Sequence, residues 1–135
     1  MIQGWHDNNY LMLFAEQAEA LAFTERYQVS THLPGYTLVG LCSWDDFILL
    51  DAAGQLLTVP TIPIFGERIQ PLTFTIDPAK LQPDLRFENR VKWYITHILF
   101  GGDPRAEENT AWVSLDQHVD LVKWWNHKYQ ELKGA

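Results

Sequence analysis

The sequence predicts an α+β fold: an antiparallel sheet of about four strands flanked by an N-terminal helix and two C-terminal helices. Apolar residues recur at three- and four-residue spacing near both ends of the chain, which is the period of an amphipathic helix. The middle of the chain consists of short apolar segments separated by Pro and Gly, which is typical of strands and turns. The 135 residues contain no linker or internal repeat, so we expect one α+β domain over residues 1–135.

The first predicted element is an amphipathic helix over residues 9–27. Its apolar positions fall on one side, and the Ala, Leu, Glu and Gln residues that fill it are good helix formers. The acidic and amide side chains at residues 7–9 are each suitable N-caps. Pro34 and Gly35 then predict a break, because proline cannot continue a helix and glycine favours a turn.

The middle of the chain predicts the sheet. A Gly-containing turn over residues 52–55 separates two strands, which indicates a hairpin. Residues 47–50 are all apolar, so we expect that strand to be covered on both faces. Two prolines restrict residues 61–65 to a sheet edge or an extended loop. The predicted strands cover residues 37–42, 44–51, 56–59 and 72–76.

Residues 85–100 are ambiguous, because apolar positions at helical spacing coincide with residue types that strands prefer. We predict a helix over residues 87–99, ended by the glycine pair at 101–102. A polar loop follows, and then a short extended segment over residues 111–113.

The last predicted element is a helix over residues 115–132. Ser114 and Gln117 form a capping box at its start, and Gly134 follows its end. An apolar stripe runs along the helix at three- and four-residue spacing, which predicts one face packed on the sheet.

The charge is unevenly distributed along the chain. The net charge is −7, and residues 1–60 hold seven acidic residues against the single base Arg26. Residues 61–135 hold ten acidic and nine basic residues. An acidic protein suits a basic protein partner better than nucleic acid or an anionic membrane, so we expect neither of the latter two as partners. The alternative is a protein with an ordinary acidic pI and no special partner.

The N-terminus shows no signal peptide, and no apolar run is long enough to span a bilayer. The single cysteine, Cys42, fits a reducing compartment. We therefore expect a cytoplasmic protein.

The motifs of catalysis and cofactor binding are missing from the sequence. No histidine lies three or four residues from another, so there is no helical His pair for a metal. Cys42 lies inside an apolar strand, where cysteine usually behaves as a small hydrophobic residue. The loop at residues 101–104 is too short to cradle a phosphate. We expect no metal, no cofactor and no catalytic residue. The remaining alternative is an enzyme or a small-ligand-binding protein, in which His97 or His118 is paired with an acid in a cleft lined by Trp112 and Trp125.

Two acidic segments are candidate binding sites for a basic partner. In the first, Trp44 is an apolar anchor beside acidic side chains, because Trp is common at interface hot spots. The second is a loop, and loops on rigid scaffolds often carry function. The alternatives are turn chemistry for the acids and core packing for the tryptophan. The candidate residues are Trp44, Asp45, Asp46 and Asp51 in the first segment, and Asp103, Glu107 and Glu108 in the second.

Three stretches resemble a known family. Leu-Pro-Gly-Tyr at residues 33–36 follows the predicted first helix, and WDDFILLDAAGQLLTVP at 44–60 places a glycine turn after an apolar strand ending in Asp51. With these motifs the chain resembles the SUKH superfamily of small bacterial α+β proteins, many of which are immunity proteins against polymorphic or type VI secretion toxins. The segment GGDPRAEENTAWVSLDQHVDLVKWWN at 101–126 is similar to a recurring tail of small immunity-type proteins.

The resemblance implies a non-catalytic inhibitor that docks onto a cognate toxin. Many toxin domains are nucleases and therefore basic, so an acidic inhibitor gains on-rate and selectivity from complementary charge. The alternative in another class is a housekeeping regulator or scaffold that binds an endogenous partner. The sequence determines neither the toxin's activity nor the oligomeric state.

Overall fold

The computed structural model describes residues 1–94, 102–103 and 105–134 and has the predicted α+β class with antiparallel pairing. Within these residues, a six-stranded sheet runs in the order β1-β2-β3-β4-β5-β6, and a separate two-stranded sheet joins β7 to β8. The strands are β1 (Ile2–His6), β2 (Asn9–Leu13), β3 (Thr37–Cys42), β4 (Asp46–Leu50), β5 (Leu56–Pro60), β6 (Gln70–Pro71), β7 (Val91–Tyr94) and β8 (Thr110–Val113). The helices are α1 (Gln17–Arg26), α2 (Val29–His32) and α3 (Leu115–Gly134).

The N-terminal helix prediction was wrong for its first half. β1 and β2 form a hairpin around Asp7, whose positive φ of 50° is a conformation that Asp tolerates, and α1 begins only at Gln17. Residues 10–14 are all buried, as in a strand covered on both faces. A continuous apolar run of this length fits a helix or a strand equally well. Here its pairing with β1 makes it a strand.

The central hairpins were predicted correctly. β3, β4 and β5 pair in sequence order, and Asp51 Oδ1 accepts hydrogen bonds from the N–H groups of Ala53 and Gln55 at 2.9 and 2.8 Å, which closes the turn between β4 and β5. The prediction that β4 is covered on both faces is also confirmed, because Phe47, Ile48 and Leu49 are fully buried.

Two further predictions were wrong within the described residues. Residues 72–76 are irregular, and the strand that pairs with β5 is Gln70–Pro71. Phe74 and Ile76 still pack against the sheet, which explains the alternation with threonine. In the predicted helix 87–99, residues 91–94 form strand β7 against β8, because the aromatic residues prefer this half-buried pairing. Residues 95–99 and Gly101 lie outside the described residues.

The C-terminal helix agrees with the prediction. Ser114 Oγ accepts a hydrogen bond from the Gln117 N–H at 3.1 Å, and Gln117 Oε1 accepts one from the Ser114 N–H at 2.9 Å, which is the expected capping box. Among the described helices, none combines the length and the apolar character needed to cross a bilayer.

The six-stranded sheet separates two apolar clusters. The larger lies on the helical side and joins α1, α2 and α3 to one face of the sheet, and the smaller lies between the opposite face and residues 72–82. A buried amide ties α3 to the loop after β5: Asn126 Oδ1 accepts from the Ile64 N–H at 2.8 Å, and its Nδ2 donates to the carbonyls of Thr61 at 2.8 Å and Val122 at 3.0 Å. This amide therefore holds the proline-containing segment in place.

Candidate functional site

The first predicted acidic segment is divided between the two ends of β4. Asp45 and Asp46 lie where β4 begins, whereas Asp51 lies just beyond its last residue. A strand of this length separates them by roughly 16 Å at about 3.3 Å per residue. Because the Asp51 carboxylate already closes the turn between β4 and β5, its local role is structural. The structure therefore does not place Asp51 with the other two acids.

The second acidic segment precedes β8. Asp103 Oδ1 accepts a hydrogen bond from the Arg105 N–H at 2.9 Å, and its main-chain oxygen accepts one from Asn109 Nδ2 at 3.2 Å. Glu107 and Glu108 are exposed in a single 3-10 turn that leads directly into β8. This loop presents its two glutamates to solvent, and Asp103 shapes its backbone.

Trp44 lies in an aromatic cluster formed by Trp5, Tyr10, Trp44, Phe87 and Trp112. Its ring stacks on Tyr10 at a centroid distance of 5.2 Å and meets Phe87 and Trp112 edge-on at 5.4 and 5.3 Å. Phe87 in turn stacks on Trp112 at 4.9 Å. The aromatic cluster joins the β1–β2 hairpin, the β3–β4 loop and the β7–β8 hairpin. Packing between elements is therefore part of Trp44's role.

The β3–β4 loop is held in a defined conformation. Ser43 and Trp44 both have positive φ, 49° and 63°, which is uncommon for residues other than glycine. The Ser43 N–H donates to the Tyr10 carbonyl at 2.7 Å, and the Thr61 N–H donates to the Asp45 carbonyl at 2.9 Å. Because hydrogen bonds hold the backbone at both Ser43 and Asp45, the loop presents Asp45 and Asp46 in one arrangement. A pre-organised binding loop requires such an arrangement.

Neither carboxylate at the start of β4 has a close partner. Among the described residues, Asp45 and Asp46 take part in no side-chain hydrogen bond and no ion pair within 4.0 Å. Burial raises the pKa of Asp45 to about 6, with a further rise from the neighbouring Asp46 and an opposing effect from Lys92. Burial also raises the pKa of Asp46. The side chain of Asp45 still reaches solvent, so an incoming cation has access to it.

The outer face of the β7–β8 hairpin carries two residues that interact electrostatically with Asp45, namely Lys92 and Tyr94. Lys92 pairs with Trp112 across the hairpin, so their side chains share one face. Burial raises the pKa of Tyr94, and the charge of Asp45 raises it further. Tyr94 lies two residues beyond Lys92 and therefore on the same face of β7. Trp112 is 40% exposed, the most exposed ring of the aromatic cluster. We call Asp45, Lys92 and Trp112 the acid–aromatic face. Asp46 lies on the other side of β4, where it pairs with Cys42 and shares its side of the strand with Ile48.

The sequence reasoning missed Trp112 and Lys92 as parts of this site. It placed Trp112 only in a hypothetical cleft with Trp125. The sequence did indicate that Trp112 could face away from its two neighbours. It stands between Ala111 and Val113 in a segment predicted to be extended, where alternate residues face opposite sides. The pairing of this segment with residues 91–94 was not predicted.

The groups of the enzyme hypothesis do not form an acid–base pair in the described structure. His118 is buried, and its Nδ1 lies 2.7 Å from the Tyr27 hydroxyl, a phenol and not a carboxylate. His97 lies outside the described residues. Cys42 is buried, and burial followed by the charge of Asp46 raises its thiol pKa, which disfavours the reactive thiolate.

The acid–aromatic face combines a carboxylate, an ammonium group and an indole. In the part of the chain that the structure describes, no group of three or more His, Cys, Asp or Glu side chains could hold a metal ion. Comparison of the chain with protein-family models, with curated proteins and with solved structures found no match.

Proposed function

We propose that this protein is a cytoplasmic immunity protein that binds a basic toxin domain through the acid–aromatic face and neutralises it without catalysis. The observation that carries the proposal is Asp45, an exposed carboxylate without a hydrogen bond or ion pair among the described residues. It follows Trp44, whose ring meets the exposed ring of Trp112 at a centroid distance of 5.3 Å. A basic partner supplies the missing cation.

Electrostatics support a protein partner at this position. Burial raises the pKa of both the Asp45 and the Asp46 carboxylate, and a cation from the partner would favour their ionised form. The net charge of −7 attracts a basic partner over a distance, which raises the association rate. Trp is enriched at interface hot spots, and the ring of Trp112 is 40% exposed in the free protein.

The test requires a toxin domain as the partner, and the genes next to this one are the first place to search for it. Co-expression of the wild-type protein should restore growth of cells that produce the toxin. The double variant Asp45→Lys, Asp46→Lys should fail to restore growth and should weaken binding at least about a hundredfold, since reversal of two interface charges costs several kcal/mol.

A matched control distinguishes an effect of the acid–aromatic face from an effect of the protein's net charge. The double variant Glu16→Lys, Glu67→Lys makes the same change in net charge at two exposed glutamates elsewhere. It should bind nearly as tightly as the wild type at moderate salt, where distant surface charges are screened. Equal affinity of both double variants, or no growth rescue by the wild type, would refute the proposal. The second result would favour a regulator of an endogenous partner.

A further inference from the structure

The face of the six-stranded sheet opposite the helices is covered by residues 72–82, a segment that we call the strap. Phe74 and Ile76 of the strap pack on the smaller apolar cluster. Thr73 and Thr75, which alternate with these packed residues, are exposed. The strap therefore turns one side toward the sheet, as an extended segment does, although it is not a strand of the sheet.

Main-chain hydrogen bonds hold the strap to the sheet only at its two ends. The Leu72 N–H donates to the Leu56 carbonyl at 3.1 Å, and Gln82 and Trp5 exchange two N–H to carbonyl bonds at 3.0 and 2.8 Å. Among the described residues, positions 73–81 form hydrogen bonds only within the strap. The middle of the strap is therefore held to the sheet by side-chain packing.

Two residues of β1 seat the strap. A Cβ atom at Gly4 would lie 2.9 Å from the carbonyl carbon and oxygen of Gln82 and 3.0 Å from Leu81 Cβ. Only a residue without a side chain therefore lets the strap approach β1 this closely. His6 lies on the same face of β1, and its ring stacks on Phe74 at a centroid distance of 4.4 Å.

The packing beneath the middle of the strap is incomplete. An open cavity of about 280 Å³ is lined by Ile76 and Pro78 of the strap and by apolar side chains of the sheet, among them Leu13 and Val39. Protein interiors contain few voids larger than a water molecule, and the side chains around such a space lose dispersion contacts. The middle of the strap is therefore bound less strongly than a fully packed segment.

We propose that the strap is a conformational device that opens while the strands and helices stay folded. In the open form residues 73–81 lift away from the sheet, and the hydrogen-bonded ends at Leu72 and Gln82 act as hinges. A segment with few hydrogen bonds and incomplete packing opens at a lower free energy than paired strands do. Opening uncovers the smaller apolar cluster and the thiol of Cys42, one of its buried members. This motion is a property of the fold and does not depend on the proposed function.

Cys42 reports on the opening, because it is the only cysteine of the sequence and is buried in the covered cluster. Its reaction with iodoacetamide is followed by mass spectrometry, with the urea-unfolded protein as the reference rate. The native protein should react at least about a hundredfold faster than its free energy of global unfolding, measured by urea denaturation, allows. The rate should also stay nearly constant at low urea concentrations, because opening of the strap exposes little surface. A rate that equals the global prediction and rises with urea in the same way would overturn the proposal.

Tyr27→Phe distinguishes opening of the strap from global unfolding, since Tyr27 lies in the core on the helical side of the sheet. The variant should lower the free energy of global unfolding and leave the reaction rate of Cys42 unchanged within about twofold. A rate that increases in proportion to the loss of stability would show that Cys42 is reached by global unfolding and would refute the proposal.

Gly4→Ala should favour the open form, because the added Cβ overlaps the main chain of Gln82. We expect the reaction of Cys42 to become at least about tenfold faster. Gly66→Ala is the matched control, because a Cβ there meets only Leu33 Cδ2 at 3.7 Å, an ordinary contact. It should change the rate by about twofold or less. The same rate in both variants would contradict the seating of the strap on Gly4.

His6→Ala keeps the test decisive if Gly4→Ala does not fold. It removes the ring that stacks on Phe74 and should speed the reaction of Cys42 by about three- to tenfold. His127→Ala, which removes an exposed ring from α3, is its control and should leave the rate unchanged. No difference between these two histidine variants would refute the proposal.

Hydrogen exchange distinguishes opening of the strap from opening of the β1–β2 hairpin beneath it. The amides that pair β1 with β2 should stay protected up to a higher free energy of opening than the reaction of Cys42 reports. The same free energy from both measurements would mean that the strap and the hairpin open together, and the strap would then not be a separate device.

Discussion

The Tyr27 hydroxyl lies 2.7 Å from Nδ1 of His118, in a contact that joins the end of α1 to α3 inside the core. Burial lowers the pKa of His118 to about 3 and raises the pKa of Tyr27. The imidazole is therefore neutral and the phenol keeps its proton, so the hydroxyl donates and Nδ1 accepts. The third ring at this position is Trp93, which meets His118 edge-on at 5.5 Å. The pair fixes α3 against the helical face of the sheet.

Replacing Tyr27 by Phe should lower the free energy of unfolding by about 1–3 kcal/mol, because it leaves a buried imidazole nitrogen without its donor. Urea denaturation at neutral pH measures this. Tyr36→Phe removes a hydroxyl from a partly exposed ring and is the matched control, expected to change stability by less than about 0.5 kcal/mol. Similar losses in both variants would show that the Tyr27–His118 contact contributes nothing specific.

Acid should destabilise the protein through His118. Its pKa is about 3 in the folded protein, against the ordinary histidine value of 6.5 that we expect in the unfolded chain. Between these two values the unfolded chain binds more protons, so stability falls as pH falls, with a slope from this group that approaches about 1.4 kcal/mol per pH unit. His118→Gln, whose amide can accept the same hydrogen bond, should flatten the dependence of urea denaturation on pH. An unchanged slope in that variant would assign the acid sensitivity to other groups.

Asp45 should have the opposite effect on stability over part of this range. Its pKa rises from 3.8 to about 6 on folding, so the folded protein binds more protons between these values and stability falls as pH rises. Asp45→Asn should therefore stabilise the protein at pH 7 by on the order of 1 kcal/mol, allowing for solvent screening of an accessible side chain. The gain should vanish below about pH 4. Thermal denaturation at both pH values checks this, and destabilisation at pH 7 would contradict it.

Local features of the sequence were sufficient to predict the central hairpins and α3. The turn after Asp51 and the capping box at Ser114 are chemical features of short segments, and they predicted those elements correctly. The β1–β2 hairpin was missed because the apolar run at residues 10–14 continues into the helical spacing of α1. β7 was missed because only its pairing with β8 separates strand from helix there.

The candidate site was predictable only in part for the same reason. Asp45 and Asp46 could be named because they are adjacent in the sequence. Lys92 and Trp112 belong to a second sheet, where Trp112 meets the Trp44 ring and Lys92 acts electrostatically on Asp45, each from more than 40 positions away in the chain. Asp51 was included because it is near in sequence, although one strand length separates it from the other acids. Spacing along the chain cannot give this arrangement.

Asn126 should be essential for the loop between β5 and β6. Asn126→Ala leaves the Ile64 N–H and the Thr61 carbonyl without their partner in a buried site, so stability should fall by about 2–5 kcal/mol in urea denaturation. Asn126→Asp keeps the acceptor but brings a carboxylate against two carbonyls, and should recover part of its loss at low pH as it protonates. Gln130→Ala, exposed on the same helix, is the control. A small effect of Asn126→Ala would show that the loop holds itself in place.

Binding of the basic partner should strengthen as pH rises through about 6. In the free protein the pKa of Asp45 is raised to about 6, and only the ionised carboxylate pairs with an arginine, whose own charge does not change in this range. The bound state therefore favours loss of a proton, and affinity should increase by up to about tenfold per pH unit below pH 6 and level off above pH 7. Isothermal titration at several pH values, with buffers of different ionisation enthalpy, measures both the affinity and the proton released. Asp45→Asn should remove the proton release and most of the pH dependence, whereas Glu67→Gln should keep both. A flat affinity in the wild type would place the partner's cation elsewhere than on Asp45.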